Sequence, residues 1–196
     1  MAKRFLVPLF LGTASVLFGS HVFAGASSSR DVQADQLPPQ GVANTKHERT
    51  FMAIKYDAIQ RGNISEIMGR MERKGYKLVG LKLVQPSRSL IENHYADLKG
   101  RPFFEGLVNY MTGKPVVAMV WEGKGVISYS RVMIGTTNPL TAAPGTIRGD
   151  LSIDVGRNSV HGSDSAETAN NEINLWFTPQ EIANYELCTA EWTYEK

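Results

Sequence analysis

Residues 115–121 read Pro-Val-Val-Ala-Met-Val-Trp and form an almost wholly apolar run. A short apolar run rich in β-branched residues is typical of a strand buried within a sheet. Residues 50–55 are also short and apolar, residues 77–84 have strand character, and the residues around Val160 are suited to a short fourth strand. These runs predict a sheet of four strands.

Helical patterns separate the strands. Ser65 is placed to cap a helix that ends at Gly75, and apolar residues recur at helical spacing through residues 126–135. Residues 164–167 match a capping-box spacing before a last helix, and residues 87–112 have the pattern of a helical hairpin. The order β-α-β-β-α-β with an inserted helical hairpin predicts an α+β fold of the ferredoxin-like type, with an antiparallel sheet.

The composition is that of an ordinary globular protein of 196 residues, with 42% hydrophobic and 20% charged residues. This length suits one compact domain with an appendage. The 21 basic and 19 acidic residues are interspersed and give a net charge of +2, so we expect no specific nucleic-acid partner. Cys188 is the single cysteine, which excludes an intramolecular disulfide and a cysteine-based metal site. The phosphate-binding pattern of P-loop kinases is absent.

The start of the chain has the character of a targeting segment. Lys3 and Arg4 precede an apolar run over residues 5–18, and Ala-Gly-Ala at residues 24–26 has the small side chains that a signal peptidase reads. The run is too short for a membrane span, which takes roughly 20 apolar residues. The absence of acidic residues before Asp31 also suits an organellar presequence. A cleaved secretory signal is favoured slightly over an organellar presequence, and an uncleaved tether is the third alternative.

We therefore divide the chain into three parts. Residues 1–26 are predicted to be the targeting segment, residues 27–48 a flexible linker with few large apolar side chains, and residues 49–196 the catalytic domain. We expect delivery to a membrane-bounded compartment, either in the secretory pathway or in the mitochondrion, rather than the cytoplasm. Membrane association is expected only if the N-terminal segment is retained.

Residues 156–165 read Gly-Arg-Asn-Ser-Val-His-Gly-Ser-Asp-Ser and place His161 between a glycine-flanked, hydroxyl-rich backbone and a carboxylate. A neutral imidazole in such a setting is able to act as a nucleophile. Taken alone, however, the segment favours a hydrogen-bonded structural histidine, which is the more common role of a single histidine beside glycine and serine. The choice between these interpretations depends on the rest of the chain.

Together with Asn138-Pro139 and residues 144–150, this segment closely resembles the active-site region of nucleoside diphosphate kinases, and the resemblance runs over residues 48–195. It implies the ferredoxin-like fold and transfer of a γ-phosphoryl group from a nucleoside triphosphate to a nucleoside diphosphate. The transfer would follow ping-pong order, with phosphohistidine formed on His161. The resemblance also implies a homo-hexamer and Mg²⁺ as cofactor, with the ion held mainly by phosphate oxygens and water.

The resemblance further assigns roles residue by residue. Ser163 and Glu172 are expected to steady the ring of His161, and Asp164 to lie near the nucleotide-bound Mg²⁺ without being a dedicated ligand. Phe103 is the expected stacking surface for the base, which implies tolerance of many bases. The expected phosphate- and sugar-binding residues are Lys55, Tyr95, Arg131, Thr137, Arg148 and Asn158.

Each of these residues has a structural interpretation when it is taken alone. Lys55 is interpretable as a solvated strand end, Arg131 and Arg148 as surface ion-pair partners, and Tyr95 and Phe103 as core side chains. Their joint occurrence in the order and spacing of the family favours the functional interpretation.

The chain also departs from the family pattern. Lys55-Tyr56-Asp57 stands where the family usually has Lys-Pro-Asp, and this leaves the aim of Lys55 open. Ala58 replaces a common glycine, and Gly-Lys-Pro at residues 113–115 replaces Ser-Gly-Pro. An alternative function follows from Tyr56: a catalytically impaired protein of the same fold that serves as a nucleotide-binding or membrane-associated scaffold.

Overall fold

The computed structural model describes residues 37–195, so the targeting segment predicted at residues 1–26 lies outside the described residues. The four predicted strands are β1 (Arg49–Ile54), β2 (Lys77–Val84), β3 (Val116–Glu122) and β4 (Val160–Gly162). They form one antiparallel sheet in the order β2-β3-β1-β4. This order confirms the predicted ferredoxin-like α+β fold.

Eight α-helices in the described part of the chain connect and cover the strands. Their bounds are α1 Tyr56–Gln60, α2 Ile64–Lys74, α3 Arg88–His94, α4 Phe104–Met111, α5 Val126–Ile134, α6 Ile147–Leu151, α7 Ala166–Trp176 and α8 Ala190–Thr193. Short 3-10 helices occur at Ala96–Leu98, Pro139–Thr141, Val155–Arg157 and Pro179–Glu181. Helices α3 and α4 form the predicted hairpin. None of the helices described is long and apolar enough to cross a membrane.

The sheet is buried on both faces. Alternate residues of β3 enter two separate clusters, with Ala118 and Val120 packed toward α3, α4 and α7, and Val117 and Met119 packed toward α2 and α5. A strand with helices on both faces has no solvent-facing side, and this explains why residues 115–121 are apolar throughout rather than alternating. The continuous apolar run in the sequence therefore reflects the burial of β3 on both faces.

The helix ends differ from the sequence predictions by one or two residues. Asn63, and not Ser65, is the N-cap residue of α2, while Gly75 ends that helix with φ 98° as expected for a glycine C-cap. The capping box of α7 is formed by Ser165 and Thr168, one residue later than the predicted spacing of residues 164–167. The hydroxyl of Thr168 takes the place of the usual Glu or Gln side chain. Both helices begin within two residues of the predicted start.

Residues 37–48 fall within the predicted flexible linker, but they are packed against the domain. Leu37 is buried, Gly41 forms a β-bridge with Glu48, and Arg49 Nη1 donates to the backbone oxygens of Pro38 and Pro39, both at 3.0 Å. The side chain of Arg49 is the main polar attachment of this segment. In terms of packing, residues 37–48 therefore belong with the domain.

Glu122 collects three basic groups at the end of β3. Arg49 donates to its carboxylate at 2.6 Å, Lys77 at 2.7 Å, and His47 Nδ1 lies 3.2 Å away. Burial raises the pKa of Glu122, but the hydrogen bond from Lys77 and the charge of Arg49 outweigh it, so the pKa is lowered. Since Arg49 also donates to Asn184 at 2.7 Å, this cluster joins the N-terminal segment, the sheet and the C-terminal segment.

Replacing Glu122 by alanine is expected to lower the free energy of unfolding by about 3–5 kcal/mol, because the buried Arg49 and Lys77 lose their counter-ion. Urea unfolding at one protomer concentration measures this change. The contribution of Glu122 is present above the ordinary glutamate pKa and is lost as the pH falls through its lowered pKa. The control is Glu66→Ala, which removes an exposed i,i+4 pair with Arg70. Equal unfolding midpoints for the two variants would contradict the prediction.

Candidate active site

His161 lies on the edge strand β4, paired with Ala53 of β1. Its Nε2 is 2.7 Å from Oε1 of Glu172 on α7, and the hydroxyl of Ser163 donates to Oε2 of the same carboxylate at 2.5 Å. A carboxylate accepts hydrogen bonds, so the ring proton of His161 is assigned to Nε2. The other ring nitrogen, Nδ1, keeps its lone pair.

The ring of His161 is held in the neutral form. Burial lowers the pKa of His161 to about 3, and the positive charges of Lys55, Arg131 and Arg148 act in the same direction. The side chain is nevertheless 22% exposed, so a ligand is able to reach it. A neutral, accessible imidazole with a free Nδ1 has the properties that a nucleophile requires.

Lys55 lies immediately after β1 and donates from Nζ to Oδ1 of Asn158 at 2.8 Å. The amide of Asn158 in turn donates to the backbone oxygen of Thr137 at 3.0 Å. Burial and the charge of Arg148 lower the pKa of Lys55 to about 8, which leaves it mostly protonated at neutral pH. Lys55 is therefore a buried cation with a neutral partner, and its interpretation as a solvated strand end is wrong.

Arg148 on α6 is also buried, and its hydrogen-bond acceptors are backbone oxygens. It donates from Nε to Asn158 at 3.2 Å and from Nη2 to Val160 at 2.8 Å, while Arg131 on α5 donates to Gly162 at 3.1 Å. Burial and the charge of Arg131 lower the pKa of Arg148 to about 10. Neither arginine has a carboxylate partner in the described part of the chain, so the surface ion-pair interpretation fails for both.

Two aromatic side chains predicted for the site have opposite environments. Tyr95 is buried with its ring centroid 6.0 Å from that of His161, and its hydroxyl has no hydrogen-bond partner within residues 37–195. Phe103 is the N-cap residue of α4 and is 57% exposed. The core interpretation therefore holds for the ring of Tyr95 and fails for Phe103, whose face is open to a planar ligand.

Asp164 and Thr137 are both exposed. Oδ1 of Asp164 accepts a hydrogen bond from Thr168 at 2.8 Å, and its charge acts to raise the pKa of His161, so it lies within electrostatic reach of the ring. Direct contacts thus join His161, Ser163 and Glu172, and a hydrogen-bond network joins Lys55, Thr137, Arg148 and Asn158. Arg131 and Tyr95 lie beside these groups, and Phe103 makes no direct contact with them.

His94 also lies in the site, although the family resemblance assigns it no role. The ring centroids of His94 and His161 are 4.5 Å apart, and Trp176 donates from Nε1 to His94 Nδ1 at 3.2 Å. Burial lowers the pKa of His94 to about 3, and the neighbouring His161 adds to this effect. A histidine directly before Tyr95, which was itself a candidate, was the available signal. His94, which is held by Trp176, makes a T-shaped contact with the ring of His161 and restricts its orientation.

The part of the chain that forms this site is similar to known proteins. Residues 48–182 match the family model described as nucleoside diphosphate kinase. A nucleoside diphosphate kinase of Emericella nidulans is 60% identical over 149 residues, which is 76% of this chain and 97% of the relative. Nucleoside diphosphate kinase A of Homo sapiens is 59% identical over 148 residues, 76% of this chain and 97% of that protein.

Solved structures agree with these matches. The nucleoside diphosphate kinase of Halobacterium salinarum in complex with CDP has a TM-score of 0.74 and 43% identity, and the match covers 76% of this chain and 99% of that chain. A family protein from Babesia bovis has a TM-score of 0.73 and 41% identity over 75% of this chain and 99% of that chain.

The hydrogen bond to Glu172 predicts a single tautomer of His161. In ¹⁵N NMR spectra we expect the proton on Nε2 and none on Nδ1, and we expect the ring to stay neutral as the pH falls to about 5, because its pKa is lowered to about 3. In the control variant Glu172→Ala, the two tautomers are expected to mix. An imidazolium signal from His161 near pH 6 would contradict the prediction.

Proposed function

This chain belongs to the nucleoside diphosphate kinase family and transfers phosphoryl groups between nucleotides, and we propose that His161 carries the phosphoryl group from donor to acceptor. The observation that supports this proposal is the contact between Nε2 of His161 and Glu172, which leaves Nδ1 free beside buried cations. The imidazole is neutral, accessible and oriented, as covalent catalysis requires.

In the first half-reaction, the lone pair of His161 Nδ1 attacks the γ-phosphorus of a nucleoside triphosphate. A nitrogen–phosphorus bond forms, the bond from the γ-phosphorus to the β–γ bridging oxygen breaks, and the nucleoside diphosphate leaves with that electron pair. In the second half-reaction, a terminal oxygen of an acceptor diphosphate attacks the same phosphorus, and the electrons of the nitrogen–phosphorus bond return to Nδ1. The two half-reactions use one site and give ping-pong kinetics.

The residues around the ring supply charge and orientation. Phosphorylation of Nδ1 while Nε2 keeps its proton gives the ring a positive charge, which the carboxylate of Glu172 stabilises at 2.7 Å. The hydrogen bond from Ser163 holds that carboxylate in place. Lys55, Arg131 and Arg148 stabilise the charge on the transferred phosphoryl oxygens, the dominant requirement in phosphoryl transfer.

The remaining residues are proposed to bind the nucleotide. The exposed ring of Phe103 provides a stacking surface for the base, which does not distinguish strongly among bases. The amide of Asn158 links Lys55 to the backbone of Thr137, and we assign Asn158 and Thr137 to the sugar and phosphate oxygens of the nucleotide. The unpartnered hydroxyl of Tyr95 provides one further donor for a phosphate oxygen.

A kinase of this family generally requires a divalent metal ion, and we propose Mg²⁺. The charge of Asp164 acts on His161 in opposition to the cations, and Asp164 is exposed, with one oxygen bound by the hydroxyl of Thr168. A single exposed carboxylate fits an ion that keeps phosphate and water as most of its ligands. Bound there, the ion would neutralise phosphate charge, with Asp164 acting indirectly. Loss of transfer on chelation and its return with Mg²⁺ would test this assignment.

The alternative of a catalytically impaired scaffold is not favoured. Tyr56 is the first residue of α1, and the backbone N–H of that position makes no hydrogen bond within a helix. Proline and tyrosine therefore leave the same helical hydrogen bonds in place. The preceding Lys55 has φ −77° and ψ 163°, the extended conformation that a following proline would also impose. Lys55 therefore reaches Asn158 despite the substitution.

We also propose a homo-hexamer. Strand β2 is an edge of the sheet, and Leu81 and Leu83 on it are exposed large apolar residues. Apolar side chains on an unpaired edge favour contact with a second copy. The mass measured by light scattering tests the assembly, and a monomer at micromolar concentration would reject it.

One relative suggests an organellar form. Nucleoside diphosphate kinase III of Arabidopsis thaliana, named chloroplastic/mitochondrial, is 55% identical over 161 residues, 82% of this chain and 68% of that protein. We propose that residues 1–26 direct this chain to a membrane-bounded compartment, either the secretory pathway or the mitochondrion. N-terminal sequencing of the native protein after cell fractionation distinguishes the two routes, and an intact N-terminus in the cytoplasmic fraction would reject both.

Replacing His161 by alanine is expected to abolish the acid-labile phosphoenzyme formed with γ-labelled ATP, because the neighbouring imidazole of His94 is buried and its Nδ1 is bound by Trp176. Nucleotide binding is expected largely to survive. Arg131→Ala is expected to keep the phosphoenzyme but to form it about 10²–10³-fold more slowly, because charge stabilisation is lost. His47→Ala is the matched control, since His47 contacts Glu122 and not this site. A folded His161→Ala protein with normal phosphorylation would eliminate the proposed nucleophile.

Tyr56→Pro is expected to preserve or raise the turnover rate, because Lys55 already has the extended conformation that precedes a proline. Lys55→Ala is expected to weaken nucleotide binding by roughly 10–100-fold, which corresponds to loss of hydrogen bonds to a charged group of about 1.5–3 kcal/mol. Steady-state kinetics and nucleotide titration separate the two effects. Unchanged binding in Lys55→Ala would show that Lys55 does not contact the phosphates.

A further inference from the structure

Ser159 has an unusual backbone conformation two residues before His161. Its φ is 65°, in the left-handed region that residues with a side chain seldom adopt, and it is fully buried. In the described part of the chain, Asn44 is the one other non-glycine residue with positive φ. Such a conformation persists only where surrounding contacts enforce it, and it is common at functional sites.

The contacts that enforce it come mainly from the first turn after β1. Asp57 accepts a hydrogen bond from the backbone N–H of Ser159 at its Oδ2, at 3.1 Å, and the backbone N–H of Lys55 donates to the oxygen of Ser159 at 2.8 Å. The hydroxyl of Ser159 lies 2.6 Å from that of Ser152 and 2.8 Å from Nη2 of Arg61. The backbone of Ser159 is thus held on both sides of its Cα.

The carboxylate of Asp57 is itself fixed. Tyr110 on α4 donates from its hydroxyl to Oδ1 of Asp57 at 2.6 Å, and the hydroxyl oxygen accepts from the backbone N–H of Asp57 at 3.2 Å. The ring of Tyr110 lies under the guanidinium of Arg157 at 4.3 Å. Asp57 is also buried, so Oδ2 has little freedom to leave Ser159.

The position of Ser159 decides where three groups of the site lie. In the preceding residue, Asn158, the side-chain oxygen accepts a hydrogen bond from Lys55 Nζ and the backbone oxygen accepts one from Arg148. In the following residue, Val160, the backbone oxygen also accepts from Arg148. His161 comes next on β4. A rotation of the Ser159 backbone would therefore move the amide of Asn158 and the acceptors of Arg148 together.

We infer that Asp57 is a positioning residue for phosphoryl transfer, which holds Ser159 in the left-handed conformation and so aligns Lys55, Arg148 and His161 on the transferred group. This inference rests on the proposed role of His161 as nucleophile. Asp57 does not touch the reacting atoms. Small displacements of aligned groups reduce rates strongly while they change ground-state binding less.

Single-turnover formation of phosphohistidine from γ-labelled ATP and Mg²⁺ tests the inference, with nucleotide affinity measured in parallel. Asp57→Ala is expected to slow phosphorylation by roughly 10–100-fold and to change the nucleotide Kd much less. Asp57→Asn should restore most of the rate, because an amide oxygen still accepts from Ser159 and the amide NH₂ donates to Tyr110. Tyr110→Phe, which frees the carboxylate without removing it, should give a smaller loss.

The matched control is Glu181→Ala. Glu181 likewise accepts from a backbone N–H, that of Thr178, and from a basic side chain, Lys82, but it belongs to the C-terminal segment and contacts no residue of the site. We expect its phosphorylation rate to equal that of wild type. Circular dichroism and melting curves establish that each variant is folded at the assay temperature.

The outcomes separate the inference from the function on which it rests. If the wild-type protein forms no phosphohistidine, the proposed nucleophile is wrong. If wild type forms it and folded Asp57→Ala forms it at the same rate, the positioning role is wrong and the function stands. If Asp57→Ala does not fold, Asp57→Asn and Tyr110→Phe decide: an amide that rescues folding and rate, with a reduced rate in Tyr110→Phe, supports the inference, and a wild-type rate in Tyr110→Phe overturns it.

Discussion

The hydrogen bond between His161 Nε2 and Glu172 is the interaction on which the proposed active site depends. It joins the edge strand β4 to α7, and it determines the tautomer that leaves Nδ1 free. The bond exists only in one register of β4 on β1, with His161 opposite Ala53. Because side chains alternate along a strand, a slip of one residue would turn the imidazole to the other face of the sheet. The fold and the chemistry are therefore linked at a single strand pairing.

The basic residues of this protein act in two ways that depend on their partners. At the end of β3, Arg49 and Lys77 are neutralised by Glu122, and the cluster stabilises the fold. Near His161, Lys55 and Arg148 are bound to amide and carbonyl oxygens, which orient a cation without neutralising it. Two such charges close together in a buried site are unfavourable without an anion. Burial, together with these positive charges, lowers the pKa of His161 and keeps its ring neutral. In the proposed function, the unneutralised cations are available for phosphate groups.

The departures of this chain from the family pattern have structural counterparts. Tyr56 stands where the family has a proline, at the first position of α1, where neither residue makes a helical hydrogen bond through its backbone nitrogen. Lys55 keeps an extended backbone and reaches Asn158. Lys114, in the loop before β3, lies 5.6 Å from the centroid of the Tyr56 ring, within range of a cation–π contact. The loop and the turn that differ from the family thus pack against each other. The loss of proline's fixed φ at residue 56 is thus accompanied by a contact between Tyr56 and Lys114 that only the folded chain can form.

The order and type of the elements are predictable from the chain, because apolar runs and helical spacing are local properties: residues 115–121 indicate the central strand, and residues 87–112 the helical hairpin. Resemblance to a family pattern directed attention to His161 and to the cations. Other features appear only in the folded structure: Arg148 is buried, Phe103 is exposed, residues 37–48 pack on the domain, His94 contacts His161 and Asp57 contacts Ser159. These features depend on contacts between residues far apart in sequence, such as Asp57 with Ser159, and no local pattern encodes a distance across the fold.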